Sequence, residues 1–238
     1  MWREPRSRNL PGPEGWTSAV LTPAEMAVAD GRAIAAGPFS GIELMTHAGE
    51  AVAAALLARF PAARTVHVLC GPGNNGGDGY VVAECLRRAG LAVAAYGEGP
   101  PREGSDAAIA AGRCSVWPQP LAAFQPERGD LVVDALFGAG LARPVGASIR
   151  RAIVAARTLD LAVVAVDLPS GVSGETGQVL GDAFDAVLTV TFVRKKPGHL
   201  LQPGRTKCGE LVVADIGIAD DIVGGLAPRC SENGPGLW

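Results

Sequence analysis

The chain has 238 residues, of which 48% are hydrophobic and 19% charged, so it can bury one sizeable core in a domain of roughly 200 residues. A formal net charge of -3 excludes a general electrostatic attraction to nucleic acid or to an anionic membrane surface. No apolar run approaches the length of a membrane span. We therefore expect a small-molecule partner, with no nucleic acid and no membrane.

The five cysteines are odd in number and contain no C-x-x-C pair, which argues against a disulfide framework and a zinc ribbon. The amino terminus has charges, prolines and glycines where a signal peptide would have an apolar core. Both features favour a reducing compartment, and the predicted location is cytoplasmic.

Composition divides the chain into three segments. Residues 1–20, rich in Pro, Gly and Arg, are predicted to form a flexible tail, although a misassigned start codon would give the same pattern. Residues 21–218 form the predicted folded body, and residues 219–238 a linker or a truncated carboxyl-terminal end.

The body begins with two predicted helices. Thr22 and Glu25 have the spacing of a capping box, with Pro23 at the first helical position. The second helix is predicted from about Ile42 to Arg59, because apolar residues recur there at helical spacing.

Six short apolar runs follow and alternate with segments able to form helices. They are residues 65–69, 91–96, 131–136, 161–168, 186–192 and 210–216. Strands that are apolar on both faces are typical of a parallel sheet covered by helices on each side. The predicted fold is a three-layer α/β/α sandwich with a Rossmann-like, mainly parallel sheet.

The first strand is followed by CGPGNNGGDGY, residues 70–80, whose glycines match the G-x-G-x-x-G spacing of a dinucleotide-binding loop. A helix is predicted from Gly79 to Ala89, with Asp78 as its cap. On this interpretation Glu98, near the end of the second strand, would bind the ribose of an intact cofactor. A Rossmann-type NAD(P)-binding oxidoreductase is therefore one candidate.

Polar residues also follow the third and fourth strands. Asp134, Asp167 and Ser170 should meet Asn75 at the carboxyl edge of the sheet, where open parallel sheets bind ligands. Such oxygen donors suit an alkali or alkaline-earth ion. The alternative for each single residue is a cap on a neighbouring loop or helix.

Together, GPGNNGGDG, VDALFGAGL, VAVDLPSGV and TVTFVRKKPGHLLQPG resemble the NAD(P)H-hydrate epimerase family, the YjeF amino-terminal domain. The resemblance extends from about Leu21 to about Ile218. It implies an isomerase of metabolite repair that interconverts the R and S epimers of hydrated NADH and NADPH. The loop would then face a damaged dinucleotide that is the substrate.

The resemblance also implies the residues of the site. One potassium ion per subunit would be held by Asn75, Asp134 and Ser170. The implied substrate-binding residues are Asn74, Asn75, Gly76, Gly77, Asp78, Gly138, Ala139, Gly140, Leu141, Ala142, Arg143, Pro144, Asp167 and Lys196.

Asp167 is the predicted catalytic residue. The epimerising carbon bears a hydroxyl and the ring nitrogen, so its configuration is lost by ring opening or by departure of hydroxide. Either route needs a proton moved at oxygen, which suits a positioned carboxyl group. Lys196 would bind phosphate or orient Asp167, with Lys195 competing for that role.

Other features leave alternatives open. Thr46 and His47 stand where many relatives have a glutamate, which leaves the polar contacts of the second helix undetermined. Bacterial relatives often continue into an ADP- or ATP-dependent dehydratase, so the chain is either a single-domain epimerase or part of a longer protein. Family resemblance also implies a homodimer formed through the amino-terminal helices. A non-catalytic YjeF-type nucleotide-binding or interaction module remains the non-enzymatic alternative.

Overall fold

The computed structural model describes residues 18–233, and a seven-stranded sheet lies at the centre of that region. The strands are β1 (Ala19–Val20), β2 (Thr65–Cys70), β3 (Ala92–Gly97), β4 (Gln119–Pro120), β5 (Leu131–Ala135), β6 (Ala162–Val166), β7 (Leu188–Phe192), β8 (Glu210–Ala214) and β9 (Cys230–Ser231). The central sheet has the order β4-β3-β2-β5-β6-β7-β8, and every pair in it is parallel.

Helices cover both faces of this sheet. They are α1 (Pro23–Ala36), α2 (Gly41–Arg59), α3 (Asn74–Arg88), α4 (Asp106–Arg113), α5 (Ala147–Thr158), α6 (Pro197–Leu200), α7 (Gly204–Lys207) and α8 (Asp220–Gly224), with a 3-10 turn at Leu121–Ala123. One apolar cluster packs helices α1, α2, α3 and α4 against one face of the sheet. A second packs α5 against the opposite face. The predicted three-layer α/β/α architecture is confirmed.

The helix start signals predicted for α1 are confirmed. Thr22 accepts a hydrogen bond from the Glu25 N–H at 3.2 Å, and the Glu25 carboxylate accepts one from the Thr22 N–H at 2.8 Å. This reciprocal box satisfies two amides that the helix leaves unpaired. It fixes the entry of the chain into α1, one face of which lines the pocket described below.

Each of the six predicted strand runs coincides with a strand of the sheet, to within two residues at each end. The seventh strand, β4, was not predicted. It has two residues, one of them Pro120, and pairs only with β3 at the sheet edge. Proline cannot donate to a ladder and carries little strand signal, which is why the sequence pattern did not indicate it.

The predicted start of α3 is wrong. The helix begins at Asn74 rather than at Gly79, and its N-cap is Gly73. Asp78 therefore lies within the second turn of the helix and caps nothing; its side chain is 8% exposed. The physical reason is that glycine and asparagine, poor helix formers in isolation, are held helical here by packing against α2 and α4.

The chain order reverses between β2 and β5. The chain runs outward from β2 through β3 to β4, then returns to β5 and continues outward on the other side. Ligands of open parallel sheets bind at such a switch point, outside the carboxyl ends of the strands. The loop after β2 and the loop after β5 meet there.

The ends of the described region pair with each other. Ala19–Val20 forms an antiparallel ladder with Cys230–Ser231. Parts of the predicted flexible tail and of the predicted linker therefore form two strands. Residues 1–17 and 234–238 of those two predicted segments lie outside the described residues. Within residues 18–233, every helix is too short or too polar to cross a bilayer.

Close packing between α2 and α3 depends on one glycine. A Cβ atom at Gly49 would lie 2.5 Å from the Val81 Cβ and 3.0 Å from the Asp78 carbonyl. We predict that Gly49→Ala lowers the free energy of unfolding by about 1–3 kcal/mol, since the helices must separate. Urea denaturation measures the change.

Gly31→Ala is the matched control. Gly31 is also inside a helix, but a Cβ there meets nothing within 4 Å. This substitution should raise the free energy of unfolding by roughly 0.5–1 kcal/mol, because alanine is the better helix former. Equal effects of the two substitutions would contradict the packing argument.

Candidate active site

A cavity of about 630 Å³ opens at the carboxyl edge of the sheet, over the switch point. Its wall is formed by α1, α2, the start of α3 and the loops that follow β5, β6 and β7. The polar residues lining it are Asp30, Asn74, Asn75, Asp78, Asp106, Arg143, Asp167 and Lys196. A concave site with a few convergent polar groups among apolar ones is typical of small-molecule binding.

A buried ion pair lies in this cavity. The Lys196 ammonium donates to Asp167 Oδ1 at 2.8 Å, and the two side chains are only 3% and 16% exposed. Thr191 Oγ1 donates to the same oxygen, and the Ala139 N–H donates to Oδ2 at 2.8 Å. Burial opposes ionisation, yet the charge of Lys196 and these hydrogen bonds hold the pKa of Asp167 well below its ordinary value.

His199 fixes the backbone on both sides of the pair. Its Nδ1 accepts from the Lys196 N–H at 2.8 Å, so the ring proton lies on Nε2 and is donated to the Asp167 carbonyl at 2.7 Å. Burial and the charge of Lys196 lower the pKa of His199 to about 4, so the ring is neutral. His199 was not predicted as a site residue, because its function depends on contacts that only the fold creates.

Two backbone positions beside the pair are strained. Asp167 has φ 63° and Val193 has φ 64°, both in the left-handed region. Aspartate adopts this region more readily than most residues, whereas a β-branched valine does so rarely. Residues held there cluster at functional sites, where surrounding contacts impose the geometry.

Asp134 and Ser170 meet below the pocket, as predicted from the strand ends. The Ser170 N–H and hydroxyl both donate to the Asp134 carboxylate, at 2.7 and 2.6 Å. Asp134 is fully buried, and burial raises its pKa to about 6 although the hydrogen bonds from Ser170 and Leu136 favour the anion. Within residues 18–233, this carboxylate has no lysine, arginine or histidine partner.

Asn75 joins the same group of loops. Its amide lies between two backbone groups, with the nitrogen 3.1 Å from the Val166 carbonyl and the oxygen 3.3 Å from the Gly138 N–H, an orientation assigned from these partners. The first turn of α3, the end of β6 and the loop after β5 are thereby connected. All four predicted residues lie at the carboxyl edge of the sheet, but only Asn75 and Asp167 line the cavity, and Asp134 and Ser170 contact each other beside it.

Three further carboxyl groups line the cavity without a hydrogen bond or ion pair in the described region, namely Asp106 at the start of α4 and two on α3 and α1. Asp78 of α3 and Asp30 of α1 both line it, and neither forms a hydrogen bond or ion pair with another residue of the described region. Burial, the nearby charges of Asp167 and Asp30, and only partial compensation by Lys196 raise the pKa of Asp78 well above its ordinary value. Asp30 was not predicted from the sequence, because nothing in the pattern of α1 distinguishes it from an exposed helical carboxylate.

The other predicted substrate-binding residues divide into two groups. Gly138, Ala139, Gly140, Leu141, Ala142 and Arg143 line the cavity with Asn74 and Asn75. Gly76, Gly77 and Pro144 do not. A Cβ at Gly76 would lie 1.8 Å from the Gly71 carbonyl oxygen, and one at Gly77 would meet the Met45 sulfur at 2.5 Å, so these glycines allow α3 to pack closely.

Residues 41–198 match the model of the family described as YjeF-related protein N-terminus. The chain belongs to this family. The match includes every residue predicted for the site, and it excludes α1 and therefore Asp30.

Curated relatives of this YjeF-related chain are of two kinds. It is 37% identical over 202 residues to the NAD(P)H-hydrate epimerase of Limosilactobacillus fermentum, covering 84% of this chain and 97% of the relative. It is 41% identical over 188 residues to the bifunctional NAD(P)H-hydrate repair enzyme Nnr of Coxiella burnetii, covering 77% of this chain. The matched part spans 38% of the length of that bifunctional relative.

The fold also matches a solved structure. The crystal structure of the yeast protein ynu0 superposes with a TM-score of 0.72 and covers 90% of this chain and 96% of the yeast chain. The sequence identity is 23%, so this likeness supports the fold alone.

The two adjacent lysines differ sharply in environment, which makes them a matched pair for a stability test. We predict that Lys196→Met lowers the free energy of unfolding by about 3–5 kcal/mol, because the buried Asp167 carboxylate loses its partner. Lys195→Met should cost about 0–1 kcal/mol, since Lys195 pairs with the half-exposed Glu232. Denaturation in urea at neutral pH compares them.

The dependence of the free energy of unfolding on acidic pH provides a second measure of the buried pair. Because the pKa of Asp167 is depressed in the folded state, its stabilisation is present above the unfolded value of about 3.9 and is lost as the pH falls below it. Lys196→Met should weaken this acid dependence. Equal destabilisation by the two substitutions would contradict the importance of the buried pair.

Proposed function

We propose that this chain is an NAD(P)H-hydrate epimerase, an isomerase that interconverts the R and S epimers of hydrated NADH and NADPH. The observation that carries the proposal is the near full-length match to the Limosilactobacillus fermentum epimerase. The geometry supports it, because most of the predicted polar residues, Asn74, Asn75, Asp78, Arg143, Asp167 and Lys196, line one cavity at the switch point of the sheet.

The two glycine loops suit the pyrophosphate part of such a substrate. Helix α3 begins at Asn74, within the loop after β2, so its unpaired N–H groups and its dipole favour an anion there. Arg143, on the loop after β5, is exposed and lines the cavity, where it would supply a bidentate contact to phosphate.

The nicotinamide end of the substrate would then lie toward Asp167 and Lys196. Asp167 is held as an anion by Lys196, Thr191 and the Ala139 N–H. Such a fixed charge contributes by orienting the ring and by stabilising positive charge on it. Because its pKa is depressed, Asp167 is a weak base and is poorly suited to accept the proton that the reaction moves.

We further propose that Asn75, Asp134 and Ser170 hold one potassium ion. These residues fit a cation, because the fully buried Asp134 carboxylate has only neutral hydrogen-bond donors around it in the described region. The donor set consists of oxygen atoms without cysteine or histidine, as hard cations prefer. The ion would neutralise Asp134 and fix the three loops that carry the substrate-binding residues.

The oxidoreductase alternative loses its expected ribose ligand. Glu98, which that interpretation assigns to the ribose, accepts a hydrogen bond from Ser148 at the start of α5. It does not line the cavity, whereas the partnerless carboxyl groups of Asp30 and Asp78 do.

Two partner proposals accompany the activity. The bifunctional relatives suggest that the epimerised product passes to an ADP- or ATP-dependent NAD(P)H-hydrate dehydratase, in the same polypeptide or another. Homodimerisation is proposed through α1 and α2, and α1 exposes Val28 and Ile34 to 46% and 44%.

The activity is tested by adding the protein to the pure R epimer of hydrated NADPH and following the S epimer by chromatography. Equilibration well above the rate without protein is expected. Asp167→Asn should slow it by about 100-fold or more, because removal of the fixed anion also leaves Lys196 unpaired. No acceleration by a folded wild-type protein would refute the epimerase proposal and favour a binding module.

The potassium proposal is tested by thermal unfolding in potassium chloride and in choline chloride at equal ionic strength. A ligand that binds only the folded state raises the midpoint in proportion to the logarithm of its concentration above saturation. Potassium should raise the midpoint of the wild type but not of Asp134→Asn or Ser170→Ala. Equal midpoints of the wild type in the two salts would contradict the site.

A further inference from the structure

Asp30 occupies an unusual position for a helical aspartate. It lies near the middle of α1, half-buried, with its carboxyl group on the cavity wall among the apolar side chains of Met26, Ile34 and Leu44. It has no hydrogen bond or ion pair within residues 18–233. A carboxyl group buried beside a cavity without a structural partner costs stability, so its retention points to the ligand.

Asp167 is poorly suited to move a proton. Three donors already occupy its two oxygens, namely Lys196 Nζ, Thr191 Oγ1 and the Ala139 N–H. Accepting a further proton would break the buried pair with Lys196. The hypothesis that Asp167 shuttles the proton therefore conflicts with the contacts that hold it.

Asp78 is limited in the opposite direction. It is 8% exposed, and its burial together with the nearby negative charge of Asp167 raises its pKa well above the ordinary value. The protonated form is thereby favoured, so Asp78 suits donation of a hydrogen bond to substrate better than repeated loss and uptake of a proton. Four carboxyl groups line the cavity. Asp106 lies in the first turn of α4, where its charge complements the helix amino terminus, which leaves Asp30 as the group placed both to take up and to release a proton.

We propose that Asp30 is the general base and acid of the epimerase, a catalytic residue that neither the sequence motifs nor the family match assigns. The inference rests on the proposed function. Asp167 and Lys196 then serve as a fixed charge pair, and Asp78 as a neutral donor.

Ring opening of the substrate would need only this one proton carrier. The Asp30 carboxylate takes the hydroxyl proton, the O–H electrons form a carbonyl, and the C–N bond breaks with its electron pair on nitrogen. Asp30 returns the proton to that nitrogen. Rotation about the adjacent C–C bond presents the other carbonyl face, and the reverse steps close the ring as the opposite epimer. Oxygen and nitrogen are bonded to one carbon, so a single carboxyl group can reach both.

The electrostatic surroundings support this role. Burial raises the pKa of Asp30 to about 6, with Lys196 lowering and Asp167 raising it, and a base with a pKa near the working pH is the most effective proton carrier. The charged groups that line the cavity opposite Asp30 are Asp78, Asp106, Arg143, Asp167 and Lys196. Helix α8 packs against α1, and its Asp220 is paired with Arg194.

The test compares Asp30→Asn and Asp30→Glu with Asp160→Asn, an exposed aspartate at the opposite edge of the sheet. Epimerisation of hydrated NADPH is measured from pH 5 to 8, with the rate without protein subtracted. We expect kcat of Asp30→Asn to fall by about 100-fold or more with little change in KM, and Asp30→Glu to recover part of it. Asp160→Asn should match the wild type.

The pH profile separates proton transfer from binding. Wild-type kcat should fall as the pH drops through about 6, where Asp30 becomes protonated, and Asp30→Asn should lack this fall. The same variant should be at least as stable as the wild type in urea at pH 7, since it removes a buried charge whose folded pKa is raised.

Three other outcomes would contradict the role of Asp30, and only the last of them would also contradict the proposed function. A raised KM with unchanged kcat in Asp30→Asn would make Asp30 a binding residue and overturn the proposal. Wild-type activity in Asp30→Asn would also overturn it while leaving the epimerase intact. A wild-type protein that does not accelerate epimerisation would refute both the proposed function and the role of Asp30.

Discussion

The site depends on the buried contact between Asp167 and Lys196. Asp167 follows β6 and Lys196 follows β7, so the pair joins the carboxyl ends of two neighbouring strands. Desolvating two charges is costly and is offset only when further hydrogen bonds complete the arrangement. Ala139 supplies one from the loop after β5, and His199 ties the two backbones together. The pair thereby fixes three of the loops that form the cavity.

Lys196 forms an ion pair with only one of the carboxyl groups that line the cavity, so Asp167, Asp78 and Asp30 have different electrostatic surroundings. The pKa of Asp167, which contacts Lys196 directly, is lowered, that of the most buried group, Asp78, is raised well above its ordinary value, and that of Asp30 is raised to about 6. Environments that push the pKa values of neighbouring groups apart are the means by which one site provides an anion, a hydrogen-bond donor and a base. The division follows from burial and distance to Lys196, since the side chains are chemically identical.

Much of this arrangement was predictable from local pattern. The strand runs, the capping box at Thr22 and the meeting of Asn75, Asp134, Asp167 and Ser170 follow from periodicity and from the geometry of parallel sheets. The start of α3 was not, because tertiary packing holds glycine and asparagine in a helix against their local preference. Asp30 and His199 were also not identified, since their roles arise only when α1 and α6 are placed beside the strand ends. The family resemblance named the substrate and the ion, which composition cannot do.

The left-handed backbone at Val193 lies just before the lysine of the buried pair and costs stability. A valine there costs of order 1–3 kcal/mol relative to relaxed geometry, and glycine would remove the strain. Beyond this bend, three successive basic residues diverge, Arg194 toward Asp220, Lys195 toward Glu232 and Lys196 toward Asp167. Glycine at this position would therefore make the domain more thermostable, but its freer backbone would allow Lys196 to turn away from Asp167. The strain at this one backbone dihedral therefore sets the stability of the domain against the placement of the lysine in the site.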